Sequence, residues 1–164
     1  MPVPRAELER RMSRFVETCR RSGMKLTHQR TEIFREVGGS DEHPDAETVY
    51  QRVRRRVTGI SRDTVYRTLA SLETQGLVRK AEVLFDRGRY DANTDRHHHF
   101  VCIGCDLVRD FYSEPLNDLP IPKSVQTLGS IQSTNVQVRG ICQTCSSKHL
   151  LRKNPKDREP THGE

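Results

Sequence analysis

Two Cys-x-x-Cys pairs, Cys102/Cys105 and Cys142/Cys145, stand 36 residues apart. Each pair forms a tight knuckle that supplies half of a tetrahedral shell, and four thiolates suit Zn²⁺. The fold must therefore bring the two knuckles together across a gap longer than the common zinc-ribbon spacing. The intervening residues are expected to do so as strands. A shell of four cysteines is coordinatively closed, so the ion it holds is structural. A thioredoxin-like redox role is disfavoured by the presence of two pairs and the absence of a βαβ pattern. Structural zinc contributes on the order of 10–16 kcal/mol of apparent binding energy. This chain has reason to use it: of 164 residues only 33% are hydrophobic, 30% are charged and none is Trp. Such a composition gives modest cores.

The same composition excludes some classes. No run of about 18 apolar residues exists, so no membrane partner is expected. The start "MPVPRAELERR" has no apolar segment of the secretory kind, so the expected location is cytoplasmic, where five cysteines argue for metal ligands over disulfides. Charge is uneven: residues 1–90 carry 19 Lys+Arg against 13 Asp+Glu, whereas residues 91–164 carry 9 of each. The first half thus favours a polyanion, although an imbalance of this size also suits a merely solvated surface.

Periodicity in that half predicts three helices and then a fourth. Leu8, Met12, Phe15, Val16 and Cys19 mark one face of a helix ending at Gly23, which makes Cys19 a core residue and not a redox sensor. Thr27 N-caps "HQRTEIFREV", which ends at "GGSDEH". A third helix has Pro44 near its first position and Ala46, Val49, Tyr50, Val53 and Val57 on its inner face. Gly59 breaks the chain, Ser61 caps a fourth helix whose buried stripe is Val65, Leu69 and Leu72, and Gly76 closes it. "LVRKAEVLFDRGRYDA" follows as two extended runs around Asp86-Arg87-Gly88, a hairpin signal. Helix, break, helix and hairpin is the order of a winged helix-turn-helix, whose second helix enters the major groove of DNA. The groove-facing candidates are Ser61, Arg62, Asp63, Thr64, Tyr66 and Arg67. Arg62 and Arg67 suit bidentate contacts to guanine, Thr64 and Tyr66 suit phosphate or a thymine methyl. The bland alternative is an ordinary amphipathic helix with a solvated face.

"DRHHHFVCIGC" joins the first half to the first cysteine pair. If "HHHFVCI" and "LVRDFY" are two short strands around a turn, alternation puts His97 and His99 on one face and His98 with Cys102 on the other. One metal cannot collect all of them, so two sites are expected. The second has nitrogen and oxygen donors, with His97 and His99 joined by some of His43, Asp91, Asp95 and Asp110, and such a set suits Fe²⁺, Mn²⁺ or Zn²⁺. A run of three histidines is also a common surface accident.

Together "LTHQRTEIF", "HPDAETVY", "ISRDTVYRTL", "GRYDANTDRHHHFVCIGC", "LVRDF" and "GICQTC" resemble the ferric uptake regulator (Fur) family of bacterial metal-dependent repressors, over residues 8 to 148. The resemblance implies an α+β homodimer on double-stranded operator DNA. Its parts would be a winged helix-turn-helix domain over 1–90, a hinge over 91–96, a small α/β dimerisation domain over 97–151 and a disordered tail over 152–164. It implies a regulatory site of His43, Asp91, His97, His99 and Asp110 holding Fe²⁺ or Mn²⁺, beside the structural Zn²⁺ on Cys102, Cys105, Cys142 and Cys145. The ligand pattern is similar to the peroxide-responsive PerR branch, chiefly because Asp110 stands where iron-sensing members usually carry Glu. In that branch hydrogen peroxide oxidises a ligand histidine on Fe²⁺, which here implies His43 or His97. His98 is not expected to be a ligand.

The chain departs from the family in three places. His98 stands where many members have an Asp ligand, and no His occurs between His99 and His149, so a third family site is expected to be missing. Pro115, Pro120 and Pro122 fall where the family has a helix, which proline interrupts at a cost of about 3 kcal/mol or more. Arg62 and Asp63 replace small or apolar residues at the start of the reading helix. Two other functions fit the donor sets: a repressor that releases iron or zinc reversibly, and a metal-dependent hydrolase. The hydrolase lacks a His-Glu-x-x-His or deaminase motif, so no catalytic residue is assigned. A DNA-binding protein whose second site stays empty is a further alternative.

Overall fold

The protein is described by a computed structural model covering residues 3–81, 88–131 and 133–152, in two units, Met1–His97 and His98–Glu164. In the first unit, α1 (Arg5–Ser22) buries Phe15 and Cys19 and ends at Gly23, whose φ of 69° lets Met24 N–H reach back to the Cys19 carbonyl at 2.9 Å. Helix α2 (His28–Gly38) starts where the Thr27 hydroxyl accepts from Arg30 N–H at 3.2 Å. Phe34 of α2 stacks on Phe15 with ring centroids 4.6 Å apart. Helix α3 (Ala46–Val53) is capped by Asp45, which accepts from Thr48 N–H at 2.7 Å. Pro44 therefore precedes the cap and does not sit at the first helical position, because the Asp45 carboxylate captures the helix start. Val57 is buried as expected, but in the turns after α3.

Helix α4 (Arg62–Thr74) begins at Ser61, whose hydroxyl accepts from Thr64 N–H at 3.1 Å, and buries Val65, Leu69 and Leu72 completely. After it, β1 (Arg79–Ala81) and β2 (Arg89–Asp91) pair antiparallel. The turn residues Asp86 and Arg87 lie outside the described residues. Four helices with α3 and α4 in sequence, followed by a hairpin, make this unit a winged helix-turn-helix.

The second unit is a three-stranded sheet in the order β4-β3-β5, from β3 (His98–Cys102), β4 (Val108–Phe111) and β5 (Gln137–Gly140). Strand β4 runs antiparallel to β3 and β5 runs parallel to it. The fold is thus α+β, as expected. The prolines limit the connection to two short helices, α5 (Glu114–Asn117) and α6 (Lys123–Gln126). Helix α7 (Gln143–Arg152) starts just after Cys142, carries Cys145 and takes in Arg152, the first residue of the expected tail. Residues 153–164 of that tail lie outside the described residues.

Candidate functional site

The cysteine cluster follows from strand register. Cys102 ends β3 opposite Gly140 of the parallel strand β5, and Ile103 N–H donates to the Gly140 carbonyl at 2.8 Å. Cys142 arrives two residues later. The four sulfurs of Cys102, Cys105, Cys142 and Cys145 lie within 4.8 Å of one another. Asp106 closes the first knuckle in the left-handed region, φ 57°, a conformation that Asp tolerates. Gly104 eases a close approach, since a Cβ there would stand 3.3 Å from Cys145 Sγ and press on the thiol.

Backbone N–H groups point at sulfur: Cys142 N–H and Gly104 N–H reach Cys102 Sγ at 3.2 and 3.4 Å. Those hydrogen bonds, that of Cys142 first, pull the Cys102 thiol down to about 6. Cys145 is pushed up to about 12 by the crowding of Cys105 and then Cys142. Four thiols this close cannot all ionise without a cation among them. The Cys105–Cys142 separation of 3.7 Å fits the edge of about 3.8 Å expected of a tetrahedron with 2.3 Å Zn–S bonds. Donor type and spacing both fit Zn²⁺.

Cys19, by contrast, is wholly buried in the first unit, and burial pushes its thiol up. That is core chemistry.

In the first unit His43, Asp91 and His97 form a second group. An antiparallel bridge pairs Asp45 with Arg89, and Tyr90 N–H donates to the Pro44 carbonyl at 3.0 Å, so the chain before α3 runs along β2 and sets His43 beside Asp91. Arg89 Nη1 fixes that segment further through the Glu42 and His43 carbonyls, each at 3.4 Å. His43 occupies the left-handed region at φ 50° with its ring buried. Such a backbone costs a non-glycine residue on the order of 1 kcal/mol, which the two anchors offset.

Asp91 places one carboxylate oxygen 3.6 Å from His43 Nε2 and the other 3.0 Å from His97 Nε2. Two Asx turns carry the chain from one ligand to the next: Asn93 N–H donates to Asp91 Oδ1 at 2.7 Å and Asp95 N–H to Asn93 Oδ1 at 3.2 Å. Arg10 pairs with the Asp95 carboxylate at 2.8 Å and Arg14 donates to the Thr94 hydroxyl, which fastens this segment to α1. Asp95 thus enters the site through its carbonyl, which accepts from His97 Nδ1 at 2.7 Å, and not through the carboxylate the sequence offered. Because a carbonyl only accepts, the proton sits on Nδ1, and the lone pair of a neutral His97 on Nε2 faces a carboxylate oxygen. A proton or a metal ion relieves that opposition, and a backbone carbonyl behind the imidazole is the usual orienting partner of a metal-binding histidine. Buried imidazoles with a carboxylate fit Fe²⁺, Mn²⁺ or Zn²⁺.

In the second unit His99 and Asp110 are opposite partners on β3 and β4, with His99 Nε2 3.7 Å from Asp110 Oδ1. His98 projects to the other face of β3, fully buried, accepts Val136 N–H on Nδ1 at 3.2 Å and packs near Phe111. Strand alternation holds for His98 onward. His97 precedes the strand, so its direction is set by the Asp95 carbonyl instead.

On α4 the expected groove-facing side chains Ser61, Arg62, Asp63, Tyr66 and Arg67 are exposed and Thr64 is half-buried. Ser61 and Thr64 are engaged in the cap, their hydroxyls 2.9 Å apart, and Arg67 lies 3.4 Å from Asp63. Arg62 is held by Glu47, which no sequence signal singled out, and by Tyr50, expected only on the inner face of α3; the i, i+3 spacing of that pair was the available signal.

The profile of the Ferric uptake regulator family matches residues 21–139, and the chain belongs to that family. It is 27% identical over 148 residues to the peroxide-responsive repressor PerR of Staphylococcus aureus, covering 90% of this chain and 100% of that protein. Among solved structures, the ferric uptake regulator of Helicobacter pylori superposes with a TM-score of 0.66 at 21% identity, over 85% of this chain and 93% of that one. The Campylobacter jejuni peroxide stress regulator gives a TM-score of 0.62 at 25% identity, over 79% and 98%. No described helix is long and apolar enough to cross a membrane.

Proposed function

We propose that this chain is a homodimeric, metal-dependent transcriptional repressor that binds double-stranded operator DNA and senses hydrogen peroxide by oxidation of His43 or His97. A structural Zn²⁺ takes Cys102, Cys105, Cys142 and Cys145. A regulatory Fe²⁺ or Mn²⁺ takes His43, Asp91 and His97 from the first unit and His99 and Asp110 from the second. The observation that carries the reading is the buried group at Asp91, where the His97 lone pair faces a carboxylate oxygen 3.0 Å away. Likeness to the Staphylococcus aureus PerR and an aspartate opposite His99 support peroxide as the signal. Exposed Ile103, Tyr112, Leu128, Ile131, Val138 and Ile141 on the second unit support a partner copy.

Each residue has a task. Asp91 holds the two imidazoles of the first unit in one place. The Asp95 carbonyl fixes the tautomer of His97, and the bridge to β2 holds His43 in its strained backbone. An ion that needs donors from both halves of the chain would couple metal occupancy to operator binding by the two α4 helices of a dimer. Fe²⁺ bound there would supply the redox catalysis by which peroxide takes two electrons from an adjacent imidazole, a chemistry Mn²⁺ would not supply. The ring gains one oxygen atom and the other leaves as water. The altered donor set would hold the ion less well, and the operator would be released.

Peptide mass spectrometry tests this. Zinc-containing protein is loaded with Fe²⁺ without oxygen, its metal content confirmed, and peroxide added. One added oxygen on the His43 or His97 peptide with Fe²⁺, and none with Mn²⁺, is the expected result. Iron uptake without oxidation makes the protein a reversible metal sensor, and no second metal removes the switch from this site.

A further inference from the structure

Arg62, the first residue of α4, is exposed yet held on two sides. Its Nε donates to Glu47 Oε2 at 2.9 Å and its Nη2 to Glu47 Oε1 at 3.1 Å, a bidentate fork. Its guanidinium carbon also lies 5.0 Å from the centroid of the Tyr50 ring. Glu47 and Tyr50 are neighbours on one face of α3, and Gln51 Nε2 donates to Glu47 Oε1 at 2.6 Å. Arg67, further along α4, has one contact of 3.4 Å to an exposed Asp63 and no such cradle among the described contacts. The hydrogen bond from Arg62, followed by that from Gln51, holds the Glu47 carboxyl below its ordinary value, so the pair stays charged at neutral pH.

A bare carboxylate beside the reading helix would repel DNA phosphates. Bonded to arginine it serves as a brace instead. A guanidinium carries five N–H donors. Glu47 uses one on Nε and one on Nη2, and the outer end keeps both Nη1 donors and the second on Nη2. Those outer donors form the parallel pair that matches O6 and N7 of guanine in the major groove. An arginine already paired and stacked loses little rotamer freedom when it binds.

We propose that Arg62 reads a guanine in each operator half-site through its Nη1–Nη2 end, with Glu47 and Tyr50 as positioning residues that hold its plane. The inference rests on the DNA-binding reading above and adds to it which base pair α4 selects and which residues of α3 take part.

The test selects sequences from a random duplex DNA library with full-length, zinc-containing, Mn²⁺-loaded protein, wild type and variants. The wild type should enrich a two-fold symmetric motif with a guanine in each half. Arg62→Ala and Arg62→Lys should both lose preference for that base, by about tenfold or more, while the rest of the motif survives. The lysine variant keeps the charge, so the test stands even where the alanine variant does not fold. Glu47→Gln and Tyr50→Leu should blur the same position alone, and Tyr50→Phe, which keeps the ring, should retain it. A motif unchanged in Arg62→Ala overturns the proposal. So does a loss of affinity uniform over all sequences and restored by lysine, which marks a phosphate contact. No enriched motif from the wild type overturns the DNA-binding reading and this inference with it.

Discussion

The two units are held together by different means. Among the described residues the first has a continuous core of seventeen buried side chains, from Phe15 to Ala92, with contributions from all four helices and the hairpin. Among its described residues the second buries only Val101, Cys102 and Val108 of its apolar side chains, and leaves Leu128 84% exposed. At about 25 cal/mol per Å² of apolar surface, three small side chains do not order a unit of that size. A cluster of four thiols stands where a core would otherwise be. The first unit is therefore expected to fold without metal and the second to depend on it.

The largest expected effect comes from Cys142→Ser. It removes one zinc ligand and, with it, most of a binding energy on the order of 10 kcal/mol. Circular dichroism and zinc analysis should show the second unit unfolded and the first still melting cooperatively. Next is Phe34→Ala, which deletes a stacked core ring and should cost the first unit about 3–5 kcal/mol by denaturant titration with zinc content unchanged. If either substitution destabilises both units equally, the contrast is wrong.

Asp91→Asn separates the second donor group from both. It keeps the shape of the side chain but weakens its hold on a cation, so Mn²⁺ affinity by titration should fall by about tenfold or more. Zinc content and the melting of each unit should be nearly unchanged. The smallest effect is electrostatic. Hydrogen bonds from Arg10, and then Arg11, hold the Glu7 carboxyl below its ordinary value of 4.5. A depressed carboxyl contributes stability above its unfolded value and loses it as pH falls through the folded one. Glu7→Gln should thus cost roughly 0.5 kcal/mol at pH 7, and the difference should shrink as pH falls below 4.5 and vanish once the folded carboxyl is protonated.

What the sequence disclosed divides along a physical line. Local devices were legible: Gly23, Thr27 and Ser61 act as caps because the hydrogen bonds they complete lie within a few residues. The two cysteine knuckles were legible because thiolate pairs have few other uses. Pairings between distant segments were not. Nothing near His43 announces that the chain before α3 runs against β2, and that bridge is what brings His43 to Asp91. The parallel placement of β5 against β3, which carries Cys142 to Cys102, was equally hidden, since strand propensity does not state a partner. His97 lies just before β3, and the backbone carbonyl that holds its ring is invisible in any residue pattern.

The central claim is that the chain holds two metals with separable tasks. Its most direct test is graded chelation of the fully loaded protein, with metal content, operator binding and circular dichroism followed together. The account predicts that one ion per chain leaves first and takes operator binding with it, while one zinc and the second unit's fold persist until a stronger chelator removes both. Loss of both metals in a single step, or operator binding that survives removal of the first ion, would contradict it.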